Sequence, residues 1–313
     1  SELHPNERMK VESGFLRGTI EEGLADPITG ALPANDTQLT KFHGFYQQDN
    51  RDLRDERRRQ KLEPAYEMMI RLRLPAGVCT PQQWLQLDDL GRRYGDGGLR
   101  ITTRQTFQFH GVLKHNLKAT MQGINDALLD TLAACGDVNR TVMGAPNPHR
   151  SETHRAVHEH ARSVSDHLVP RSNAYYEIWL DHERVDPNKD AEPIYGSTYL
   201  PRKFKIGFAV PPENDIDVYS QDIGFIAIEE GGELVGYNVC IGGGMGRTEN
   251  ETATFPRLAD LIGFCRPEQV NELAEAIVTV QRDYGDRVDR KHARMKYTVD
   301  DHGPDWFREE VER

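Results

Sequence analysis

The stretch RITTRQTFQFHG, residues 100–111, predicts a β-strand with two unlike faces. Threonine and phenylalanine favour strands, and successive side chains of a strand point to opposite faces. Ile101, Phe107 and Phe109 would then lie on an apolar core. The opposite face would be wholly polar and would consist of Arg100, Thr102, Arg104, Thr106, Gln108 and His110. Such a face indicates a polar or anionic neighbour opposite this strand.

Strands and helices alternate on both sides of this stretch. Residues 68–74 predict a strand, and residues 80–95 predict a helix with a Thr-x-x-Gln capping box. A second helix is predicted from residue 114 to about residue 134. The positions expected to face the core are Trp84, Leu87, Leu90 and Tyr94 in the first helix and Leu117, Met121, Ile124 and Leu128 in the second. This order is typical of a ferredoxin-like α+β unit.

Turn-forming residues at 137–150 mark a boundary between this unit and a second one. The elements predicted beyond the boundary are helices over residues 151–168 and 267–284, a strand over 174–183, and a hairpin over 224–241 that turns at Gly231 and Gly232.

Three segments follow from this order of elements. Residues 1–60 are polar and charge-rich, which indicates an arm or partner-docking segment that is helical in part. Residues 61–145 are predicted to form the ferredoxin-like half-domain. Residues 146–313 are predicted to form a second α+β domain with a mixed or antiparallel sheet, so the fold class is α+β.

The composition is that of a globular protein with an acidic surface. Of the 313 residues, 37% are hydrophobic and 28% are charged, and the formal net charge is −11. This charge argues against general nucleic-acid binding, which requires an excess of Lys and Arg. No apolar run reaches the about 18 residues of a membrane span, and SELHPNERMK lacks the apolar stretch of a secretory signal. We therefore expect a cytoplasmic protein without membrane contact.

Cationic residues recur at alternate positions of three predicted strands. The pairs are Arg71 and Arg73, Arg100 and Arg104, and Lys203 and Lys205. Arg presents a planar fork and Lys a mobile point charge, so converging pairs would suit a multiply anionic ligand. Phosphate, nucleic acid and a polycarboxylate cofactor all satisfy this requirement. The hydrogen-bonding groups of Thr102, Gln108 and His110 favour a small fixed ligand over a sliding polymer.

Six motifs in fixed order closely resemble the hemoproteins of assimilatory sulfite reductases, in the siroheme-containing nitrite and sulfite reductase family. They are RLRLPAG, GLRITTRQTFQFHG, GDVNRTV, TYLPRKFK, NVCIGGGMG and QRDYGDRVDRKHARMKYT. The leader, with ERMKVESGFLRGTI and FHGFYQQDNRDLR, is similar to the NADPH-linked type. The resemblance covers nearly the whole chain.

The resemblance implies six-electron reduction of sulfite to sulfide on siroheme, whose eight carboxylates would face the cationic strands. Its substrate pocket would consist of Arg71, Arg140, Lys203 and Lys205. Siroheme contacts are implied for Arg100, Thr102, Arg104, Gln108, His110, Arg202, Gly242, Gly243, Gly244 and Arg294, with no metal ligand among them. Nitrite reductases of the family commonly have Asn in place of Lys205, which favours sulfite over nitrite as the substrate.

The resemblance also implies a 4Fe-4S cluster held by a C-x5-C and a C-x3-C pair. The four cysteines of this chain stand far apart and form neither pair, so we expect reduced thiols and no cluster ligand among them: Cys79, Cys135, Cys240 and Cys265. The chain is therefore expected to be an amino-terminal portion that is inactive in isolation. The implied electron donor is a flavoprotein reductase subunit, with ferredoxin as the alternative.

Two other classes of function stay open at the level of residues. A nucleic-acid-binding module would use the cationic sheet face, but stacking on bases needs aromatic and cationic groups together. Phe107 and Phe109 would fall on the face opposite Arg100 and Arg104, away from the cationic groups. An interaction domain without enzymatic activity is the third class.

Overall fold

The computed structural model describes residues 2–186, 190 and 192–313. Its helices are α1 (Pro5–Glu12), α2 (Ile20–Ala25), α3 (Asp36–Leu39), α4 (Arg51–Arg59), α5 (Pro81–Tyr94), α6 (Leu117–Asp126), α7 (Glu152–His167), α8 (Ala174–Leu180), α9 (Val270–Tyr284), α10 (Met295–His302) and α11 (Pro304–Glu312). Its strands are β1 (Phe45–Asp49), β2 (Tyr66–Arg71), β3 (Arg100–Ile101), β4 (Phe107–Val112), β5 (Ile206–Ala209), β6 (Ile223–Glu230), β7 (Glu233–Ile241) and β8 (Asp260–Cys265). Within the described residues, no helix is both long and apolar enough to cross a bilayer.

The strands form two four-stranded sheets, which confirms the α+β class. The first sheet has the order β1-β2-β4-β3 and is antiparallel throughout. The second has the order β5-β6-β7-β8 and is mixed, because β5 and β6 run parallel. The β6–β7 hairpin turns at Gly231 and Gly232 as predicted, and both glycines have the positive φ that such a tight turn requires.

Residues 100–112 form a tight hairpin, so the prediction of one continuous strand is wrong. Strand β3 pairs antiparallel with β4, and the chain turns through residues 102–106. The Thr102 hydroxyl accepts the Arg104 N–H at 3.1 Å, and Gln105 has a positive φ of 55°. A hydroxyl that bonds the backbone two residues further on competes with the strand ladder, so the strand stops here.

The hairpin changes which side chains share a face. Within β4 the predicted alternation holds, and Phe107 and Phe109 are buried. Ile101, expected on the core, is 74% exposed. Arg100 lies directly opposite Gln108, so the two share a face through antiparallel pairing and not through alternation along one strand.

Helix α5 begins as predicted, but the predicted burial of Trp84 in α5 and of Leu128 after α6 is wrong. Thr80 and Gln83 form the reciprocal capping box, with hydrogen bonds of 3.2 and 3.0 Å. Trp84 packs edge-on against Phe107 and leaves 42% of its surface exposed. Helix α6 is shorter than predicted because Leu128, beyond its end, has a positive φ of 58°, and this side chain is 88% exposed.

Residues 174–183, predicted as a strand, contain helix α8 instead. Aromatic and β-branched residues favour strands by composition, but Tyr175, Ile178 and Trp179 also have helical spacing. All three are buried, and the Trp179 indole donates to His43 Nδ1 at 3.0 Å. Burial on one helical face therefore decides the structure of this segment.

The first 60 residues are helical in part, as predicted, but they are not an arm outside the core. Strand β1 pairs with β2 along its whole length. The side chains of this segment that join the hydrophobic core are Leu16, Ile20, Leu32, Leu39, Phe42 and Phe45. Helix α4 has no buried residue and corresponds to the expected charged surface. The domain boundaries near residues 60 and 145 stay predictions.

Residues 138–143 run beside the start of the second sheet. The Phe204 N–H donates to Val138 O at 3.0 Å, and the Arg140 N–H donates to Phe204 O at 2.9 Å. The Met143 N–H donates to Ile206 O at 3.1 Å. This segment therefore acts as an irregular outer strand next to β5, and it carries Arg140 to the place where the first sheet's hairpin turn approaches the second sheet.

Candidate anion-binding site

Cationic side chains from four parts of the chain surround a cavity of about 180 Å³. The residues that line it are Arg71, Thr102, Thr103, Arg104, Thr106, Ala134, Arg140, Thr141, Lys203 and Lys205. All four residues predicted to bind the substrate are thus brought together. A space of this size holds a small oxyanion together with several waters.

Lys203 and Lys205 face the cavity because strand alternation sends their neighbours the other way. Phe204 and Ile206 are fully buried in the core. Both lysines are half-buried and line the cavity, so the predicted sharing of one face is observed. Arg140 lies next to them because its backbone bonds to Phe204.

The two lysines are poised to change charge near neutral pH. Burial lowers the pKa of each to about 8, and the next causes are Lys205 for Lys203 and Arg294 for Lys205. Among the residues that the structure describes, neither ammonium has a hydrogen-bond or ion-pair partner. Both are therefore mostly protonated at neutral pH and available to an anion.

Arg71 is fixed on the face of the first sheet by Cys135, Gln108 and Tyr46. Its Nη1 donates to Cys135 Sγ at 2.9 Å. Its Nε and Nη2 donate to the amide oxygen of Gln108 at 2.9 and 2.6 Å, and that amide's nitrogen donates to His110 Nε2 at 3.2 Å. The ring of Tyr46 lies 5.9 Å from the guanidinium carbon. The sequence analysis assigned no site role to Cys135 or Tyr46, which come from segments distant from Arg71 in the chain.

Arg73 does not join the cavity, although its strand position suggests a pair with Arg71. Its guanidinium binds Asp130 at 2.7 Å and Asp166 at 2.7 Å. Strand β2 ends at Arg71, so alternation does not extend to Arg73. Its charge is neutralised away from the site.

Arg104 links the hairpin turn to the second sheet. Its Nη1 donates to Gln221 Oε1 at 2.8 Å, and its Nη2 donates to Thr141 O at 2.8 Å and Ile206 O at 3.0 Å. Burial lowers the pKa of this guanidinium to about 9, and Arg140 is the next cause. Its buried Nε has no partner among the described residues. Arg104 is thus mainly a structural bridge with one donor left for a ligand.

Arg294 is half-buried beside the cluster, with 13% of its side chain exposed, and is not a solvated surface group. Its Nη2 donates to the two oxygens of Asp222 at 3.1 and 2.9 Å. Its buried Nε has no partner within the described chain. Sequence reasoning missed Asp222 and Gln221; the available signal was a polar pair directly before the apolar run of β6.

Arg100 and His110 do not line the cavity. They lie along a separate hollow of about 650 Å³ that also contains Asp96 and Glu67. Arg100 pairs with Asp96 at 2.9 Å. Burial lowers the pKa of His110, and nearby Arg100 lowers it further. Arg202 is half-buried and close enough to Arg140 and Asp137 to be affected by their charges, but it is not among the lining residues.

The predicted glycine loop is packed against protein atoms. A Cβ on Gly242 would lie 2.9 Å from Val299 Cβ, and one on Gly243 would lie 2.1 Å from Tyr219 O. A Cβ on Gly244 would lie 3.1 Å from Lys296 Cδ. These positions therefore need glycine for internal packing, and their predicted contact with a macrocycle stays a prediction.

Replacing Gly243 with alanine is expected to lower the free energy of unfolding by about 2 kcal/mol or more, because the Tyr219 carbonyl must move. Gly246→Ala is the matched control, since a Cβ there meets no atom within 4 Å. Urea unfolding of both variants measures the difference. Equal stability of the two would show that the loop adjusts without cost.

The four cysteines do not form a metal or cluster site within the described residues. Cys135, Cys240 and Cys265 are buried, and Cys79 is half-buried. Burial raises the pKa of Cys240 to about 11 and of Cys265 to about 12, so both are thiols at neutral pH. No group of three or more potential metal ligands occurs in that part of the chain.

Two sequence families match the chain. The nitrite/sulfite reductase ferredoxin-like half domain matches residues 60–127, and the nitrite and sulphite reductase 4Fe-4S domain matches residues 159–313. The first match overlaps residues 61–127 of the predicted half-domain, whose boundary near residue 145 stays a prediction.

Curated relatives are similar along nearly the whole chain. The sulfite reductase (NADPH) hemoprotein beta-component of Anoxybacillus flavithermus is 62% identical over 309 residues, which is 98% of this chain and 54% of the relative. That of Bacillus subtilis is 60% identical over 308 residues, again 98% of this chain and 54% of the relative. The chain thus spans about half the length of the curated relatives it matches.

Solved structures share the fold. The Mycobacterium tuberculosis NirA protein aligns with a TM-score of 0.72 at 23% identity and covers 100% of this chain and 53% of its own. A dissimilatory sulfite reductase I aligns with a TM-score of 0.57 at 12% identity, over 98% of this chain and 86% of its own. At these identities the likeness shows the fold alone.

Proposed function

The chain belongs to the nitrite and sulfite reductase family, and from this membership we propose that it forms the substrate-binding part of a sulfite reductase. The complete protein would reduce sulfite to sulfide by six electrons in sulfur assimilation. The observation that supports this most is the convergence of Lys203 and Lys205 with Arg71 and Arg140 on one small cavity. The high identity to sulfite reductase hemoproteins favours sulfite over nitrite.

Family membership implies siroheme and a 4Fe-4S cluster as cofactors. The donor set fits a polycarboxylate such as siroheme, because the buried Nε atoms of Arg104 and Arg294 have no partner in the described chain. Thr102 and Arg202 are further hydrogen-bond donors at the edge of this group of cationic side chains. The 4Fe-4S cluster does not fit the four cysteines, because they are dispersed in the chain and burial raises the pKa of Cys240 to about 11 and of Cys265 to about 12.

The proposed chemistry requires both charge attraction and protons. Bound siroheme supplies the iron at which sulfur is reduced. Arg71 and Arg140 present planar guanidinium groups to the cavity and would hold the oxyanion in a fixed orientation. Each oxygen lost from sulfite leaves as water and needs two protons. Lys203 and Lys205, with pKa values of about 8, can donate a proton and regain it near neutral pH.

We propose that electrons come from a flavoprotein subunit that oxidises NADPH, with ferredoxin as the alternative donor. The name of the relatives includes NADPH, and the leader motifs resemble that type. A cytoplasmic location is part of the same proposal. Nucleic-acid binding gains no support, because Phe107 and Phe109 are buried and cannot stack on bases.

The absorption spectrum of the complete purified protein tests the function. We expect visible bands of a porphyrin-type chromophore that shift on titration with sulfite, and a weaker response to nitrite. The protein should be produced with siroheme supply, and the same titration with chloride serves as the control. A preparation that stays colourless, or bands that no oxyanion shifts, would contradict the proposed function.

A further inference from the structure

Asp222 is a fully buried carboxylate at the centre of the cationic cluster. Its Oδ2 accepts the backbone N–H of Lys205 at 2.8 Å, and both its oxygens accept Arg294 Nη2. Its own carbonyl accepts the Gly242 N–H at 2.9 Å. One residue thus ties together the start of β5, the glycine loop and the N-terminus of α10.

The way Asp222 contacts Lys205 is the informative feature. The carboxylate binds the main chain of Lys205 and not its ammonium. Within the described residues that ammonium has no acidic partner and stays directed to the cavity. The Asp222 carboxylate therefore lies beside the cationic cluster, while the Lys205 ammonium stays available to donate to a bound anion.

Charged groups from several elements face Lys205. Arg294 at the start of α10, Arg104 in the hairpin turn and Arg140 beside β5 all lower the pKa of Lys205, as does its burial, which is the largest cause. Lys203, on the same face, adds a like charge. Asp222 is the neighbour that acts in the opposite direction and raises the pKa of Lys205.

We propose that Asp222 is a positioning residue, which holds Lys205 and Arg294 in place and keeps the Lys205 ammonium protonated for anion binding at neutral pH. This inference rests on the anion-binding role proposed for the cavity. Asp222 does not touch the cavity, so it acts through Lys205 and Arg294.

Asp222→Asn separates two effects of the carboxylate by pH. The amide keeps an oxygen that can accept the Lys205 N–H but removes the charge. At about pH 6 Lys205 is protonated in both proteins, and the variant loses only the repulsion between the carboxylate and a bound anion. Between about pH 7 and pH 8 Lys205 is mostly neutral in the variant but still mostly protonated in the parent. The two curves of affinity against pH must therefore cross.

Inorganic sulfate is the probe, because it stays a dianion throughout and leaves the protein as the titrating partner. Calorimetric titration of the complete protein between about pH 6 and pH 9 should give a midpoint near the lysine pKa of about 8. Asp222→Asn should lower this midpoint by about one pH unit, with affinity at the acidic end above that of the parent. Affinity reduced by one factor at every pH would mean a merely structural role and would overturn the inference.

Asp137→Asn is the matched control. Asp137 is also a buried carboxylate bound to an arginine, with Arg290 contacts of 2.8 and 2.9 Å, but it is not bonded to Lys205. Its loss should leave the midpoint unchanged. A midpoint shift equal to that of Asp222→Asn would overturn the inference.

Two more variants keep the test decisive if Asp222→Asn does not fold. Asp222→Ser is neutral and should also lower the midpoint, whereas Asp222→Glu retains the charge and should restore it. Identical midpoints for these two variants would overturn the inference. A parent protein that binds no sulfate at any pH would instead overturn the proposed anion site itself.

Discussion

Replacing Lys203 and Lys205 together with methionine is expected to reduce sulfite turnover by about a thousandfold or more while making the protein more stable. Each preorganised cationic donor at a site of developing charge contributes about 100- to 1,000-fold to the rate. Both lysines line the cavity, and none of the described residues could replace them there from the same strand. The loss should affect the maximal rate and sulfite binding together.

The gain in stability has a separate physical cause. Burial lowers the pKa of both lysines, and repulsion from Lys205 at Lys203 and from Arg294 at Lys205 lowers it further, so folding opposes their charged state. Methionine fills a similar volume without a charge, and replacing buried charges by apolar groups is often stabilising by about 1 kcal/mol or more. Function and stability therefore oppose each other at this pair.

Denaturant unfolding and steady-state turnover of the complete, siroheme-loaded protein measure both effects. Lys114→Met is the matched control, because the Lys114 ammonium is satisfied by the carbonyls of Gly23, Asp26 and Ala31 at 2.8–3.1 Å. That variant should lose stability, since three carbonyl acceptors, one buried and two partly buried, lose their donor. Turnover that survives in the Lys203 and Lys205 double variant would refute their role at the site.

Arg104→Met is expected to lower the free energy of unfolding by about 2–4 kcal/mol. The substitution removes three hydrogen bonds that connect the hairpin turn to Gln221, Thr141 and Ile206. The acceptors would be left unsatisfied at the wall of the cavity. Relief of repulsion from Arg140 offsets part of the cost, because Arg104 already has a lowered pKa of about 9.

Arg100→Met, in the same hairpin, is the control for Arg104→Met. The Arg100 side chain is 56% exposed and pairs with Asp96 on the surface, so its loss should cost less than about 1 kcal/mol. Thermal and denaturant unfolding without cofactor distinguish the two variants. Equal stability of both would show that Arg104 serves a ligand and does not hold the two sheets together.

The sequence by itself determined the features that depend on neighbours along the chain. The Thr80 and Gln83 capping box and the Gly231–Gly232 turn are predicted correctly because their hydrogen bonds and φ angles are set within a few residues. The alternation of Lys203 and Lys205 against Phe204 follows in the same way from local strand geometry. The order of motifs also indicated the family, without showing how they meet in space.

Only the tertiary structure decided the features whose partners lie far away in the chain. Residues 102–106 form a turn at the place where Arg104 donates to acceptors 37 to 117 positions away in the chain. Residues 174–180 form a helix because Tyr175, Ile178 and Trp179 are then buried together on one side of it. Asp222 belongs to the site because its carboxylate accepts a hydrogen bond from the backbone N–H of Lys205. No pattern of side chains in the sequence reveals that bond. Local periodicity determines which residues can share a face, whereas long-range packing and the balance of buried charges decide which faces meet.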